Sequence, residues 1–220
     1  MVEVIPAILT ASPIEAKELI LKLEGVGSRV QIDIVDGVFA EGRTIDPSAL
    51  SDLDTTLKLD FHLMTKEPVD WVERAVRGGA DRIIGQIEQM TSQRDFVGKV
   101  QEAGVSVGLA VDIDTPISQI EPEILTSLDV VLVMSVKAGR GGQEFKVSAL
   151  KKVKELAEIR KSDETPFRIC VDGGETYSII DDTHFAGADE IVIGRRLFEG
   201  DVAENIKRFE EAAHKLDPIK

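Results

Sequence analysis

Runs of Val, Ile and Leu punctuate this chain at fairly even intervals: VEVIPAIL, RVQIDIV, LKLDFHLM, DRIIGQI, VSVGLAV, DVVLVM, FRICV and EIVIG. Most are apolar at adjacent rather than alternate positions, as strands buried on both faces require. Between them apolar residues recur at three- and four-residue spacing, which predicts helices. SPIE, Ser12 to Glu15, reads as a capped helix start, with Pro13 at the first helical position and Glu15 closing a capping box. Helical patterns follow at 67–79, 93–104, 147–161 and 201–216, and a weaker one at PSALSDL, 47–53. Eight strand-then-helix units predict an α/β protein with a closed (β/α)8 TIM barrel; an open doubly wound sheet is the alternative. No Pro- or Ser-rich linker interrupts the pattern, so residues 1–220 are expected to form one domain. The charged final helix is expected to face solvent from the barrel wall.

Composition narrows the functional classes. The net charge is −14, which argues against nucleic acid and anionic membrane as partners, since both need an extended basic surface. No apolar run approaches the roughly 18 residues of a membrane span, and the N-terminus lacks a signal-peptide pattern. The single cysteine, Cys170, lies inside an apolar run and is expected to be a small buried filler. Without an internal disulfide, a reducing cytoplasm is the expected location.

A barrel carries its chemistry where strands end, on the loops at the C-terminal face. The polar residues near strand ends are Gln31, Asp33, Asp36, Asp60, His62, Gln86, Glu88, Asp112, Ser135 and Asp172. Strand alternation puts residues 31 and 33 on one face and 60 and 62 on one face, so Gln31, Asp33 and His62 are expected to meet in the barrel mouth, with Asp172 at the same level. Asp36 precedes Gly37 and reads as a turn residue. Glycine-rich exits supply the other half of a site: GRGGQEF after the sixth strand, DGGE after the seventh and IGRRLF after the eighth. Glycines there admit a ligand close to the backbone, and clustered N–H groups near a helix start favour an anion, here a phosphate. Arg195 and Arg196 add positive charge, although two adjacent arginines are not expected to enter the site together.

Five segments, IPAIL, DIVDGVF, DFHLM, MSVKAGRGGQEF and VDGG, occur in an order and spacing that resembles the ribulose-phosphate 3-epimerases from the first strand to the last. The resemblance implies a barrel of the ribulose-phosphate-binding type that interconverts ribulose 5-phosphate and xylulose 5-phosphate with two aspartates and a divalent metal. It implies that Asp33 and Asp172 are the acid–base pair and that His62 is a metal ligand. Met64 and Met134 match sulfurs along the enediolate, and Gly142, Gln143, Gly173 and Gly194 match the phosphate cradle; the adjoining Gly141, Gly174 and Arg195 are assigned to the same cradle. It also implies a small phosphorylated sugar as ligand, no organic cofactor and a homo-oligomer.

This chain departs from the family pattern mainly in the first half of the site. Gln31 stands where the family has a metal-ligand His, Ala7 where it has Ser, Gln86 where it has a second His, and Lys137-Ala138-Gly139-Arg140 where Asn-Pro-Gly-Phe is usual. Asp33, His62 and Asp172 could still form a three-ligand site for zinc, iron, manganese or magnesium, but an amide is a poor replacement for imidazole, so weak or absent metal is expected. Without metal, two nearby carboxylates repel and share a proton. Ser135, Lys137 and Arg140 are expected to contact the substrate, with Lys137 or Arg140 at its reacting end. Two alternatives stand beside the epimerase: aldol or decarboxylase chemistry on a sugar-acid phosphate, and a phosphosugar-binding protein with a disabled site.

Overall fold

Eight parallel strands close on themselves in sequence order, β1-β2-β3-β4-β5-β6-β7-β8, with β8 pairing back onto β1. They are β1 Glu3–Ile8, β2 Arg29–Val35, β3 Lys58–Met64, β4 Ala80–Gln86, β5 Ser106–Val111, β6 Val130–Met134, β7 Arg168–Asp172 and β8 Glu190–Ile193. The computed structural model describes residues 2–161 and 166–214. All eight apolar runs became strands, and closure excludes the doubly wound alternative.

The helices are less uniform: α1 Pro13–Leu21, α2 Val72–Arg77, α3 Gln93–Glu102, α4 Pro122–Leu125, α5 Ala149–Arg160, α6 Ile180–Ala186 and α7 Val202–Ala213. At the start of α1 the Ser12 hydroxyl accepts from Glu15 N–H, as a capping box requires. The return half is relayed: Thr10 donates its hydroxyl to Glu15, and Ser12 N–H donates to Thr10 Oγ1 at 3.1 Å. The weak pattern at 47–53 forms only a 3-10 turn, Pro47–Leu50, capped by Asp46. The segment 67–79 divides into a 3-10 turn, Pro68–Trp71, and α2. α4 and α6 were not among the expected helices. The final helix is described to His214; the last two residues of its expected span, Lys215 and Leu216, lie outside the described residues.

Strand alternation builds two apolar layers. Val30, Ile32 and Ile34 of β2, Leu59, Phe61 and Leu63 of β3, and Ile169 and Val171 of β7 face the helices. Val35, Met64, Leu132, Met134, Cys170 and Val192 fill the barrel interior. Each buried side chain of this size contributes about 1.5–3 kcal/mol, and the wall layer, common to all eight strands, fixes which residues face inward. α7 packs on that wall through Ile206, Phe209, Ala212 and Ala213. Inward polar residues therefore concentrate at the two open ends. At the N-terminal end Asp60 is held by Arg29 and Arg82, and Arg82 grips Glu190 with two hydrogen bonds of 3.0 and 2.7 Å. Asp60 is thus a floor residue, two positions deeper than His62 and about 6.6 Å further down the strand. Burial outweighs its arginine partners and pushes its carboxyl up to about 6.

Candidate active site

The C-terminal mouth collects Gln31 and Asp33 from β2, His62 from β3, Gln86 from β4 and Asp172 from β7. Asp33 and His62 are register partners, so the inward face of one residue commits the other. Gln31 is fully buried, and its Nε2 donates to Asp33 Oδ1 at 2.9 Å and to Asp172 Oδ2 at 2.7 Å. The His62 ring sits on a third side, with Nδ1 3.4 Å from Asp33 Oδ1 and 3.8 Å from Asp172 Oδ2, while Nε2 meets Gln86 Oε1 at 2.9 Å. Burial and the nearby Asp33 charge push the Asp172 carboxyl up to about 7, against the opposing pull of His62 and the Gln31 hydrogen bond. Burial disfavours a charged His62, yet its hydrogen bond and Coulomb attraction to Asp33, with Asp172 behind, raise it above its ordinary value. Gln31, the two aspartates and the imidazole therefore form one polar cluster.

Asp33, His62 and Asp172 also form a candidate metal group, one ligand atom from each lying within 4.8 Å of the others. The ligand types suit a divalent cation. The bridge between the carboxylates is, however, already made by Gln31 Nε2, which presents protons rather than a lone pair. With the amide in this orientation the group does not fit a cation shared by both acids.

Above this unit opens a cavity of about 380 Å³. Asp33, Asp172, Ala7, Met64 and Met134 line it, as do Arg140, Gly141, Gly142, Gln143, Gly173, Gly174, Gly194, Arg195 and Arg196, with Glu175 and Glu199 among the remaining lining residues. Gly174 has φ of 66°, and a Cβ there would lie 2.4 Å from Phe145 N, so the turn accepts only glycine. Arg195 Nη2 packs so close to Gly142 that a Cβ at that glycine would come within 2.5 Å of it. Arg196 reaches the other wall, where Nη1 donates to Glu175 O at 2.8 Å. Both arginines thus line the cavity, contrary to expectation, because the 3-10 turn Arg195–Phe198 splays neighbouring side chains apart.

Four expected site residues, Gln31, His62, Ser135 and Lys137, do not line the cavity itself. Gln31 and His62 are beneath the cavity, fully buried. Ser135 turns its hydroxyl to Gly173 O and Asp172 O, tying β6 to the β7 exit. Lys137 points to Asp112, with Nζ 3.2 Å from Oδ2, because the strand-end carboxylate also captures Ala138 N–H and folds this loop toward β5. Gln143 spends its amide protons within the loop, on Lys137 O and Arg140 O, each at 2.7 Å. Asp36 accepts from the N–H groups of Val38, Phe39 and Lys66, as a turn residue should.

Glu175 escaped notice in the sequence, although an acid directly after the glycine pair Gly173-Gly174 at a strand exit is a readable signal. It is 2 % exposed; Thr183 donates to Oε1 at 2.9 Å and Oε2 has no partner. Burial, opposed by that hydrogen bond and reinforced by Asp172, pushes its carboxyl up to about 8.

Comparison with known proteins identifies the family. The model of the ribulose-phosphate 3-epimerase family matches residues 3–198. The chain belongs to that family. A ribulose-phosphate 3-epimerase of Treponema pallidum is 33% identical over 198 residues, covering 89% of this chain and 90% of that protein. One from Chlamydia pneumoniae is 36% identical over 201 residues, covering 88% and 84%. Among solved structures, a 3-hexulose-6-phosphate synthase superposes with a TM-score of 0.66 at 16% identity over 96% of this chain and 99% of that one, a likeness of fold. The chain is therefore an epimerase-like enzyme on a TIM barrel, and a phosphorylated sugar suits its family. Among the described residues no helix is long and apolar enough to cross a membrane.

Proposed function

We propose that this enzyme epimerises a ketopentose phosphate of the ribulose 5-phosphate type at the carbon beside the carbonyl, with Asp33 and Asp172 as its two proton-transfer groups. The observation that carries this reading is the pair itself: two carboxylates within 4.8 Å at the base of a cavity whose rim carries the glycine exits and Arg195. One aspartate, ionised, takes the proton from C3. The C–H electron pair becomes the C2–C3 double bond, and the carbonyl π pair moves onto the C2 oxygen, giving an enediolate. The other aspartate, protonated, returns a proton to the opposite face of C3 as the carbonyl re-forms. The acids end with their protons exchanged, and solvent restores the starting state after product leaves. One proton on the pair is the state this cycle needs, and the Asp172 carboxyl near 7 supports it. Met64 and Met134 line the walls where a polarizable, non-titrating surface accommodates the planar intermediate. Arg140 lines the same cavity, which favours a sugar-acid phosphate as the second reading, its carboxylate meeting that guanidinium.

The test is substrate proton exchange in deuterated water, followed by NMR over ribulose 5-phosphate, other ketose phosphates and sugar-acid phosphates. Deuterium appearing at C3 of ribulose 5-phosphate with formation of xylulose 5-phosphate is expected. Exchange confined to sugar acids supports the second reading. No exchange with any of them, with phosphate binding intact, defeats both.

A further inference from the structure

The amide of Gln31 touches both acids, and its orientation is chemically informative. An amide nitrogen carries two protons and no lone pair that a cation could use, and each of its two bonds ends on a different carboxylate. The oxygen of the same amide, Oε1, is buried with no partner. Turning the amide over would set that oxygen against two carboxylates, which is repulsive unless a cation lies between them. Turned as it is, both acids accept a hydrogen bond from one amide, and the bond to the ionised acid is charge-assisted. Gln86 completes the arrangement from β4: its Oε1 accepts from His62 Nε2 at 2.9 Å, and the ring's Nδ1 faces Asp33 at 3.4 Å and Asp172 at 3.8 Å.

We propose that the Gln31 amide takes the place of a bridging cation, holding Asp33 and Asp172 together as a positioning residue so that this chain carries out its proton transfers without a bound metal. The inference rests on the epimerase reading for its catalytic meaning, but its structural content, an amide where a cation would bridge, stands separately. A cation entering the group must first break both hydrogen bonds from Gln31 and then accept an amide oxygen in place of an imidazole. Losing two hydrogen bonds, one of them charge-assisted, weakens binding by roughly thirtyfold or more, so affinity for zinc-like ions is expected to be low.

Cobalt(II) is the probe, because its visible absorption reports coordination without any turnover. The purified full chain, Gln31→His and Gln31→Met are titrated with cobalt, their as-purified metal content is measured, and C3 exchange on ribulose 5-phosphate is followed with and without a chelator. The unaltered chain is expected to be nearly metal-free, to show no coordination band at stoichiometric cobalt, and to exchange at the same rate in chelator. Gln31→His is expected to acquire the band, with affinity higher by about a hundredfold or more. Gln31→Met, close in volume, is expected to remain folded by circular dichroism and to lose exchange that added metal does not restore. Stoichiometric cobalt binding by the unaltered chain, or chelator-sensitive exchange restored by metal, overturns the proposal; so does a Gln31→Met chain that exchanges normally. If Gln31→Met does not fold, the cobalt titration of the other two chains decides. If no chain exchanges under any condition, the epimerase reading fails while the cobalt titration still decides the role of Gln31.

Discussion

Gln31 and Asp60 are register partners on neighbouring strands, yet they serve opposite ends of the barrel. Gln31 turns up to Asp33 and Asp172, whereas Asp60 turns down to Arg29 and Arg82. The level of this pair divides the interior into a reactive mouth and an ionic floor. Arg82 is the hub of the floor, joining Asp60 to Glu190 while almost fully buried. Arg82→Met is expected to leave two buried carboxylates short of their main partner and to cost roughly 3–5 kcal/mol. Urea denaturation checks this, and Arg82→Met with Asp60→Asn should recover part of the loss. Proton exchange per folded molecule should hardly change, since the floor does not touch the mouth.

Asp60 also marks a limit of sequence reading. Alternation correctly turned residues 60 and 62 inward, but inward does not say up or down; that depended on Arg29 and Arg82, which arrive from other strands. The strands themselves were legible because each is an apolar run buried on both faces. The Asp33–His62–Asp172 meeting followed from the same periodicity. Lys137 was misplaced for a different reason: its loop has no periodicity, and Asp112 on another strand captured it. Glu175 was missed although its partner Thr183 follows only eight residues later, and α4 and α6 were missed because four and seven residues are too few to establish a helical period.

Glu175 gives a pH signature. Its folded carboxyl lies near 8, above the ordinary 4.5, so between these values the folded state holds a proton that the unfolded chain releases. Stability from this group is therefore full below about 4.5, falls as pH rises, and levels off above about 8. Denaturation at pH ~5 and ~8 should show the unaltered chain losing on the order of 3 kcal/mol relative to Glu175→Gln across that interval. Parallel pH profiles for the two chains would show that Glu175 is ionised in its pocket.

Asp172→Asn tests the acid–base pair directly. The amide keeps the side chain's shape and can still meet Gln31, so folding and inorganic phosphate binding should be close to normal. Proton exchange should fall by about a hundredfold or more, the usual weight of one proton-transfer group. Near-normal exchange in this variant would mean that Asp172 moves no proton.

The arginines predict a division between phosphate recognition and loop structure. Arg195 lies against Gly142 on the glycine-rich wall, whereas Lys137 has turned away to Asp112. A guanidinium beside a phosphate contributes roughly 1.5–3 kcal/mol through a charge-assisted hydrogen bond. Arg195→Ala should therefore weaken inorganic phosphate and ribulose 5-phosphate alike, by about ten- to a hundredfold in calorimetric titration. Lys137→Ala removes a mostly exposed partner of Asp112 and should leave both affinities within about twofold, the scale of a surface ion pair. Arg140→Ala separates the two substrate readings: a loss confined to sugar-acid phosphates places their carboxylate on Arg140. An equal loss for inorganic phosphate would instead assign Arg140 to the phosphate, and no loss for any ligand would return it to solvent.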